Sequence, residues 1–186
     1  SENVEPTLAT TLRQCPEGSI ILLKSGIYQK KYVVDKAVTI RAKGEVIFDS
    51  ESPVFTVKAS GVIFENISVR HGRILVNNGQ LQLSNCKINS TVFADSSNLI
   101  CRGCSFTQKD DNCIAIKSSS CTCIECNVRG KGVIAIDHST LFAAKCKVEE
   151  ISDSGIQIDD SLCRIEDSYI GDTELSCIHA VGQSDV

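Results

Sequence analysis

The feature that most constrains this chain is a phrase of eight residues that keeps returning. Its pattern, apolar-x-apolar-x-x-Cys-x-apolar, stands at Leu81–Ile88, Leu99–Phe106, Cys121–Val128 and Leu141–Val148. Looser copies run from Val62 to Val69 and from Cys163 to Ile170. The starts at 62, 81, 99, 121, 141 and 163 lie 19, 18, 22, 20 and 22 residues apart. Self-similarity at a period near twenty signals a repeat architecture.

From about residue 54 each period carries a second apolar pair: Phe55/Val57, Ile74/Val76, Val92/Ala94, Ile114/Ile116, Ile134/Ile136, Ile156/Ile158 and Ile178/Ala180. The second member stands five residues ahead of the next phrase. A spacing of two puts both members on one face of a strand. The constant interval predicts a fixed turn, whereas the segment after the phrase, such as 107–112 or 149–154, varies in length.

A period this short cannot hold a strand, a helix and their connections. It suits short strands wound as a coil. The predicted fold is all-β: a single-stranded right-handed parallel β-helix of about seven coils with a short N-terminal capping helix. Like positions then stack at about 4.8 Å per rung. Cys86, Cys104, Cys126 and Cys146 form one predicted inward ladder, and Ile114, Ile134, Ile156 and Ile178 another. Asn85, Gly103, Glu125, Lys145 and Asp167 fall at the bend before the cysteine ladder, where a left-handed backbone suits Asn and Gly best. Ahead of the coils, apolar residues at 8, 9 and 12 predict a short helix over 7–14, closed by Pro16-Glu17-Gly18. Residues 1–19 are read as a capping segment and 20–186 as coils of one domain. The chain is expected to be a piece of a longer protein, because Ile178-His179-Ala180 begins a coil that is not finished and would leave strand edges open.

Eleven cysteines in 186 residues invite a disulfide framework, but the number is odd and most occupy positions where other copies carry Leu, Ile, Val or Ala. Free buried cysteine behaves as a small apolar residue. A reducing, cytoplasmic setting is therefore expected. A net charge of −4 argues against nucleic acid, and no apolar run is long enough for a membrane helix.

The stretch Leu12–Tyr28, ending in Gly26-Ile27-Tyr28, together with Lys36-Ala37-Val38-Thr39-Ile40, resembles the start of the right-handed parallel β-helix superfamily. There a capping helix leads to a first strand and then Gly-x-Tyr. The superfamily includes pectate lyases, pectin methylesterases and polygalacturonases, and also non-enzymatic modules of F-box and SHC-binding proteins. The resemblance implies the fold; one fold hosts many activities, so it does not choose among them.

Two chemical motifs compete with structural readings. Cys101-x-x-Cys104 and Cys123-x-x-Cys126 have zinc-ribbon spacing. The repeat puts Leu83, Ala143 and Ile165 at the places of Cys101 and Cys123, so core positions explain them without a metal, and no cofactor is expected. Asp110-Asp111-Asn112-Cys113-Ile114 is similar to the polygalacturonase Asp-Asp-Cys-Ile stretch, interrupted by Asn112. The family's Gly-His-Gly is here Gly130-Lys131-Gly132, its Arg-Ile-Lys is Gln157-Ile158-Asp159, and its Asn-Thr-Asp meets only Asn89-Ser90-Thr91. Glycoside hydrolysis by inversion needs two carboxyl groups about 6.5–9.5 Å apart. Asp110, Asp111, Asp137, Asp159 and His179 are the weak catalytic candidates.

Outward positions offer two candidate surfaces. Ala115, Ala135, Gln157 and His179 are expected to stack on one face, with Lys117, Asp137 and Asp159 beside them and His138 at the following turn. Within the phrase, Ile100, Ile124, Phe142 and Ala144 are expected to crowd on another, a contiguous apolar area of the kind that meets a partner. These residues, with Gln157 and His179, are the predicted partner-binding set. The function expected is a non-catalytic protein–protein interaction or scaffold module, with protein partners and self-association through open coil ends. The rival is a carbohydrate-binding or carbohydrate-active domain resembling polysaccharide lyases or glycoside hydrolases.

Overall fold

A computed structural model describes residues 7–51 and 53–186. The first six residues of the predicted capping segment lie outside the described residues. A single helix, Leu8–Gln14, opens the fold. Thr7 caps it: its hydroxyl accepts from the Thr10 amide, satisfying a donor that the first turn leaves without a partner. Leu8 and Leu12 are the buried face and close the end of the core. Lys36 Nζ donates to the carbonyls of Arg13 and Cys15 at 3.0 and 3.2 Å, which ties the helix end to the second coil.

Every other element is a parallel strand. One sheet of eight strands contains Tyr32–Val34, Phe55–Val57, Ile74–Asn77, Val92–Asp95, Ile114–Lys117, Val133–Ile136, Ile156–Asp159 and Ile178–Val181 in that spatial order. A strand per coil makes about eight coils, one more than the sequence period suggests. The 14-stranded sheet folds into two arms that share the long strand Val38–Asp49. The first half of each phrase lies in one arm and the second half in the other. Between them one residue per rung is left-handed: Asn66, Asn85, Gly103, Glu125, Lys145 and Asp167 have φ between 46° and 60°. The bend thus occurs where expected, and it tolerates Glu and Lys as well as Asn. The result is a right-handed parallel β-helix, the hand that crossovers between parallel strands take.

The core changes composition along the axis. In the first coils it is aromatic: Phe48, Phe55 and Phe64 are fully buried, with centroids 4.6 Å apart for each consecutive pair. Farther on it is sulfur-rich. Cys86, Cys104, Cys126 and Cys146 occupy the predicted ladder, and Cys101 and Cys123 stack in register in the adjoining arm. Cys121 Sγ lies 3.6 Å from Cys123 Sγ. The thiols donate weakly to rung carbonyls, as Cys146 Sγ does to Cys123 O at 3.4 Å. No group of three or more His, Cys, Asp or Glu side chains among the described residues is arranged to hold a metal. Burial pushes the Cys113 and Cys163 thiols up to about 11, so these sulfurs are held protonated.

One coil departs from the expected register. Val133 and Ala135 point inward, paired with Ile114 and Ile116, whereas Ile134 and Ile136 face out beside Ala115 and Lys117. The expected inward pair Ile134/Ile136 and the expected outward Ala135 are therefore corrected. The cause is the next turn. Other coils turn with one left-handed residue, such as Ser96 or Ser118, but here Asp137 and His138 are both left-handed, at φ 58° and 59°. The interval to Leu141 is thereby one residue longer. A strand's side chains alternate, so one extra residue in the turn exchanges its faces.

That turn edge carries a hydroxyl ladder that the sequence reading missed. The amide of Gly79 donates to Ser97 Oγ, Ser97 to Ser119, Ser119 to Ser139, Ser139 to Ser161, and Ser161 to Ser184, at 2.9–3.3 Å. Each hydroxyl also donates to a nearby carbonyl, as Ser139 does to Ile136 O at 2.6 Å. Ser139 is 1% exposed, so losing its hydroxyl strands the buried Ser119 amide. Ser139→Ala is expected to lower unfolding stability by about 1–3 kcal/mol, whereas exposed Thr140→Ala stays within about 0.5 kcal/mol; urea melts of both variants check this. Thiol accessibility gives a second expectation. Nine of the eleven cysteines are buried, Cys15 is half-buried and Cys177 exposed. A thiol-specific reagent should label Cys177 first and Cys15 more slowly in the native protein, and the other nine only on unfolding.

Candidate functional site

The segments after the phrase escape the ladder rule and carry the convergent polar residues. On successive rungs they supply Arg70-His71-Gly72-Arg73, then Asn89-Ser90-Thr91, then Gln108 and Asp110. Together these line a groove of about 510 Å³. Gly72 is required in its floor: its φ is 87°, and a Cβ there would sit 2.8 Å from Ser50 O.

Paired charges hold the walls. Asp49, at the end of the long strand, receives His71 Nδ1 at 2.7 Å and Arg70 Nη1 at 3.3 Å. The His71 contact, ahead of Arg70, holds the Asp49 carboxyl below its ordinary range. Arg73 Nη2 donates to Asp111 Oδ2 at 2.7 Å. That pair reaches across the intervening rung, the one that carries Ser90 and Thr91. Both are buried, 3% and 4% exposed, and neither hydroxyl oxygen has a hydrogen-bond partner. Two buried hydroxyls without partners are costly; their oxygens are closed to solvent behind the groove's surface.

The predicted catalytic candidates do not converge. Asp110 and Asp111 enter this groove region, ahead of the strand Ile114–Lys117. Asp137 lies in the turn beyond the far end of the sheet, 3.8 Å from Lys117 Nζ and beside His138. A four-residue strand, roughly 13 Å, separates the two edges. Asp159 ends its own strand with Ile136 and Val181 as neighbours. The expected stacking of Asp137 on Asp159 is therefore corrected, because Ile136 takes the place assigned to Asp137. Gln157 and His179 do pair in register on the outer face, next to Ile134.

The apolar candidates share one outer face, as expected, but are interleaved with polar residues. Ile100 and Phe142 flank Thr122 in one row; Arg102, Ile124 and Ala144 follow one another in the next. All four are half-buried, and Arg164 lies 6.0 Å from the Phe142 ring centroid.

Sequence reasoning missed Arg70, His71, Arg73, Ser90, Thr91 and Gln108. The usable signal was positional: polar clusters recur directly after successive phrases, where length varies. A second charged cluster lies farther along the same arm. Glu149, whose side chain is 8% exposed, receives Lys147 Nζ and Arg129 Nη2, each at 2.6 Å. Lys147 and then Arg129 hold its carboxyl below the ordinary range.

No protein-family model matches the sequence, and no curated protein matches it. Solved structures similar in fold include two that align over most of this chain. The A-module of the mannuronan C-5 epimerase of Azotobacter vinelandii aligns with TM-score 0.54 at 6% identity, over 88% of this chain and 65% of that one. The ORF18 protein of Geobacillus virus E2 aligns with TM-score 0.55 at 9% identity, over 95% of this chain and 51% of that one. The chain thus spans between half and two thirds of the length of these structures. At such identities the likeness is one of fold, the pectate lyase-like parallel β-helix.

Acid sensitivity follows from the paired carboxylates. Asp49, Asp137 and Glu149 all have folded values below their ordinary ones. Their contribution is present above the unfolded carboxylate range of about 4 and is lost as pH falls through the depressed folded values. Stability should therefore decline in acid, and Glu149→Gln should be less stable at neutral pH and flatten that decline; thermal melts from neutral pH to below pH 4 measure it.

Proposed function

We propose that this β-helix is a carbohydrate-recognition domain and that the groove at the variable-segment edge is its binding site. The observation that carries the reading is the groove's donor–acceptor mixture on successive rungs. Arg73–Asp111 and Arg70–Asp49 supply fixed planar groups, and Asn89 and Gln108 supply amides. Sugar hydroxyls both donate and accept, so they match such a surface better than a purely cationic or purely apolar one. The rung spacing of about 4.8 Å is close to the length of one sugar ring, which lets consecutive rungs meet consecutive residues of a glycan. The epimerase that shares the fold is named for a polysaccharide, which supports the reading by analogy.

Binding is favoured over turnover. Asp111 is committed to Arg73, and Asp49 to His71 and Arg70, which leaves Asp110 as the carboxylate lining the groove without such a pair among the described residues. Hydrolysis by the two-carboxylate route needs a second. A protein partner on the Ile100, Ile124, Phe142 and Ala144 face is the second reading, supported by the apolar share of that row.

Calorimetric titration with a panel of oligosaccharides tests the main reading. Arg73→Ala and Gln108→Ala are each expected to weaken the best ligand at least about tenfold, or 1.4 kcal/mol, with Phe142→Ala unchanged. Binding by no member of the panel, or binding untouched by Arg73→Ala and Gln108→Ala, overturns it.

A further inference from the structure

We infer that two copies of this chain pack face to face through the arm that carries the first half of each phrase, with their coil axes antiparallel. The glycan groove plays no part in this: it lies at the corner between the other arm and the eight-stranded sheet. From Thr39 to Arg164 the strands of the dimer arm pair without a bulge, so their outward residues form straight rows. One row reads Thr39, Ile63, Gln82, Ile100, Thr122, Phe142, Arg164. Polar and apolar residues alternate rung by rung, and Ile100 stands in the middle. A two-fold axis along the strand of Ile100 lays this row, reversed, on its own copy. Such an interface is isologous: Ile100 meets Ile100 of the second copy, Gln82 meets Thr122, Ile63 meets Phe142, and Thr39 meets Arg164. Apolar groups land on apolar groups and hydrogen-bonding groups on hydrogen-bonding groups. A slip of one rung would set every apolar side chain against a polar one, so the row also selects its register.

Charge follows the same symmetry. The row toward the serine turn is uncharged, with Gln80, Asn98, Ser120 and Thr140 in register. In the row beside the bend, Arg41 lies three rungs before Arg102 and Glu166 three rungs after it. The axis therefore sets Arg41 of each copy opposite Glu166 of the other, and Glu65 one rung from the other's Arg164. Arg41 and Glu65 already pair within one copy, as do Arg164 and Glu166, so the two ends of the face meet as complementary ion pairs. Exposed Arg102 meets its own copy at the axis, a like-charged meeting in the row at the bend, where water screens it. Two sheets that pack aligned keep their strand directions close, and both copies share one rung spacing, so the match holds along the whole face. That face is six rung steps long, about 29 Å, and one five-residue strand wide, about 17 Å. The pair of copies covers about 1,000 Å², at the small end of specific interfaces, which fits a dimer that dissociates in the micromolar range.

Sedimentation velocity over a concentration series tests the dimer. The expected result is a reversible monomer–dimer equilibrium, weakened at least about tenfold by Ile100→Lys, which places two charges together at the centre of the face. Arg41→Glu and Glu166→Arg are each expected to weaken it, and the two combined to restore it, because the swap re-forms the opposite pair across the axis. Thermal melts establish that the variants fold. If one does not, methyl NMR of the native protein takes its place: the Ile63 and Ile100 signals should shift with concentration, and those of exposed Leu175, in the loop before the last strand, should not. A protein that stays monomeric at every concentration overturns the inference. So does a dimer indifferent to Ile100→Lys, or one in which Leu175 shifts and Ile100 does not, since association then runs through another surface. A dimer that the charge swap fails to restore overturns the antiparallel register. The oligosaccharide titration decides the groove separately, since the dimer leaves that corner open.

Discussion

Everything in this molecule depends on rungs lying in register. Each strand hydrogen-bonds to the same strand of the coil before and after, so an inward residue must stack on an inward residue. This is why an ordinary apolar content suffices for a continuous core: every buried side chain meets its like above and below. Stability in such a stack is close to a sum of nearest-neighbour terms. It also explains the turn chemistry. The bend before the cysteine ladder demands a left-handed residue on rung after rung, and Glu125 and Lys145 accept φ values of 54° and 52° because both neighbouring rungs fix them. Local preference yields there to the stack.

Cysteine fits this constraint for a physical reason. Beyond the aromatic first coils, the space after the bend takes a side chain smaller than Ile, and rung carbonyls lie within reach of a weak donor. A thiol fills the space and makes a long S–H···O contact, as Cys104 Sγ does to Leu83 O at 3.5 Å. Where the ladder runs out of cysteine, Ser168 stands next in line and its hydroxyl accepts from the Cys146 amide at 3.0 Å. Serine performs the matching task at the opposite turn. The oxygen ladder ties turn amides to the next rung, whereas the sulfur ladder does so at Cys86 N to Cys104 Sγ, 3.5 Å, and otherwise meets carbonyls.

The parts of the fold legible in the sequence were those that repeat. The inward pairs, the left-handed bends and the capping helix all follow from periodicity or from turn residues. The failure at Ile134 and Ile136 came from the same source. The sequence Val133-Ile134-Ala135-Ile136 offers an apolar residue at every position, so alternation cannot choose a face, and the choice fell to a turn one residue longer than its neighbours. The serine ladder was hidden because serine reads as generic turn composition. The groove was hidden more thoroughly. Arg70, His71 and Arg73 precede Asp111 by about forty residues, and their meeting depends on how two variable segments curve over a rung between them.

That last dependence says where recognition can arise in a fold of this kind. A residue inside a strand has its neighbours dictated by register, one rung up and one rung down. The Arg73–Asp111 pair skips a rung, which no strand pairing can do. It exists because the segment after the Leu99–Phe106 phrase is long enough to reach back over Ser90 and Thr91, sealing two hydroxyls beneath a charged bridge. Shortening that segment to the length of its neighbour, Gly130-Lys131-Gly132, would keep every ladder intact and remove the bridge. The rungs set the stability of this protein, and variation in the length of one segment per coil is free to set what it binds.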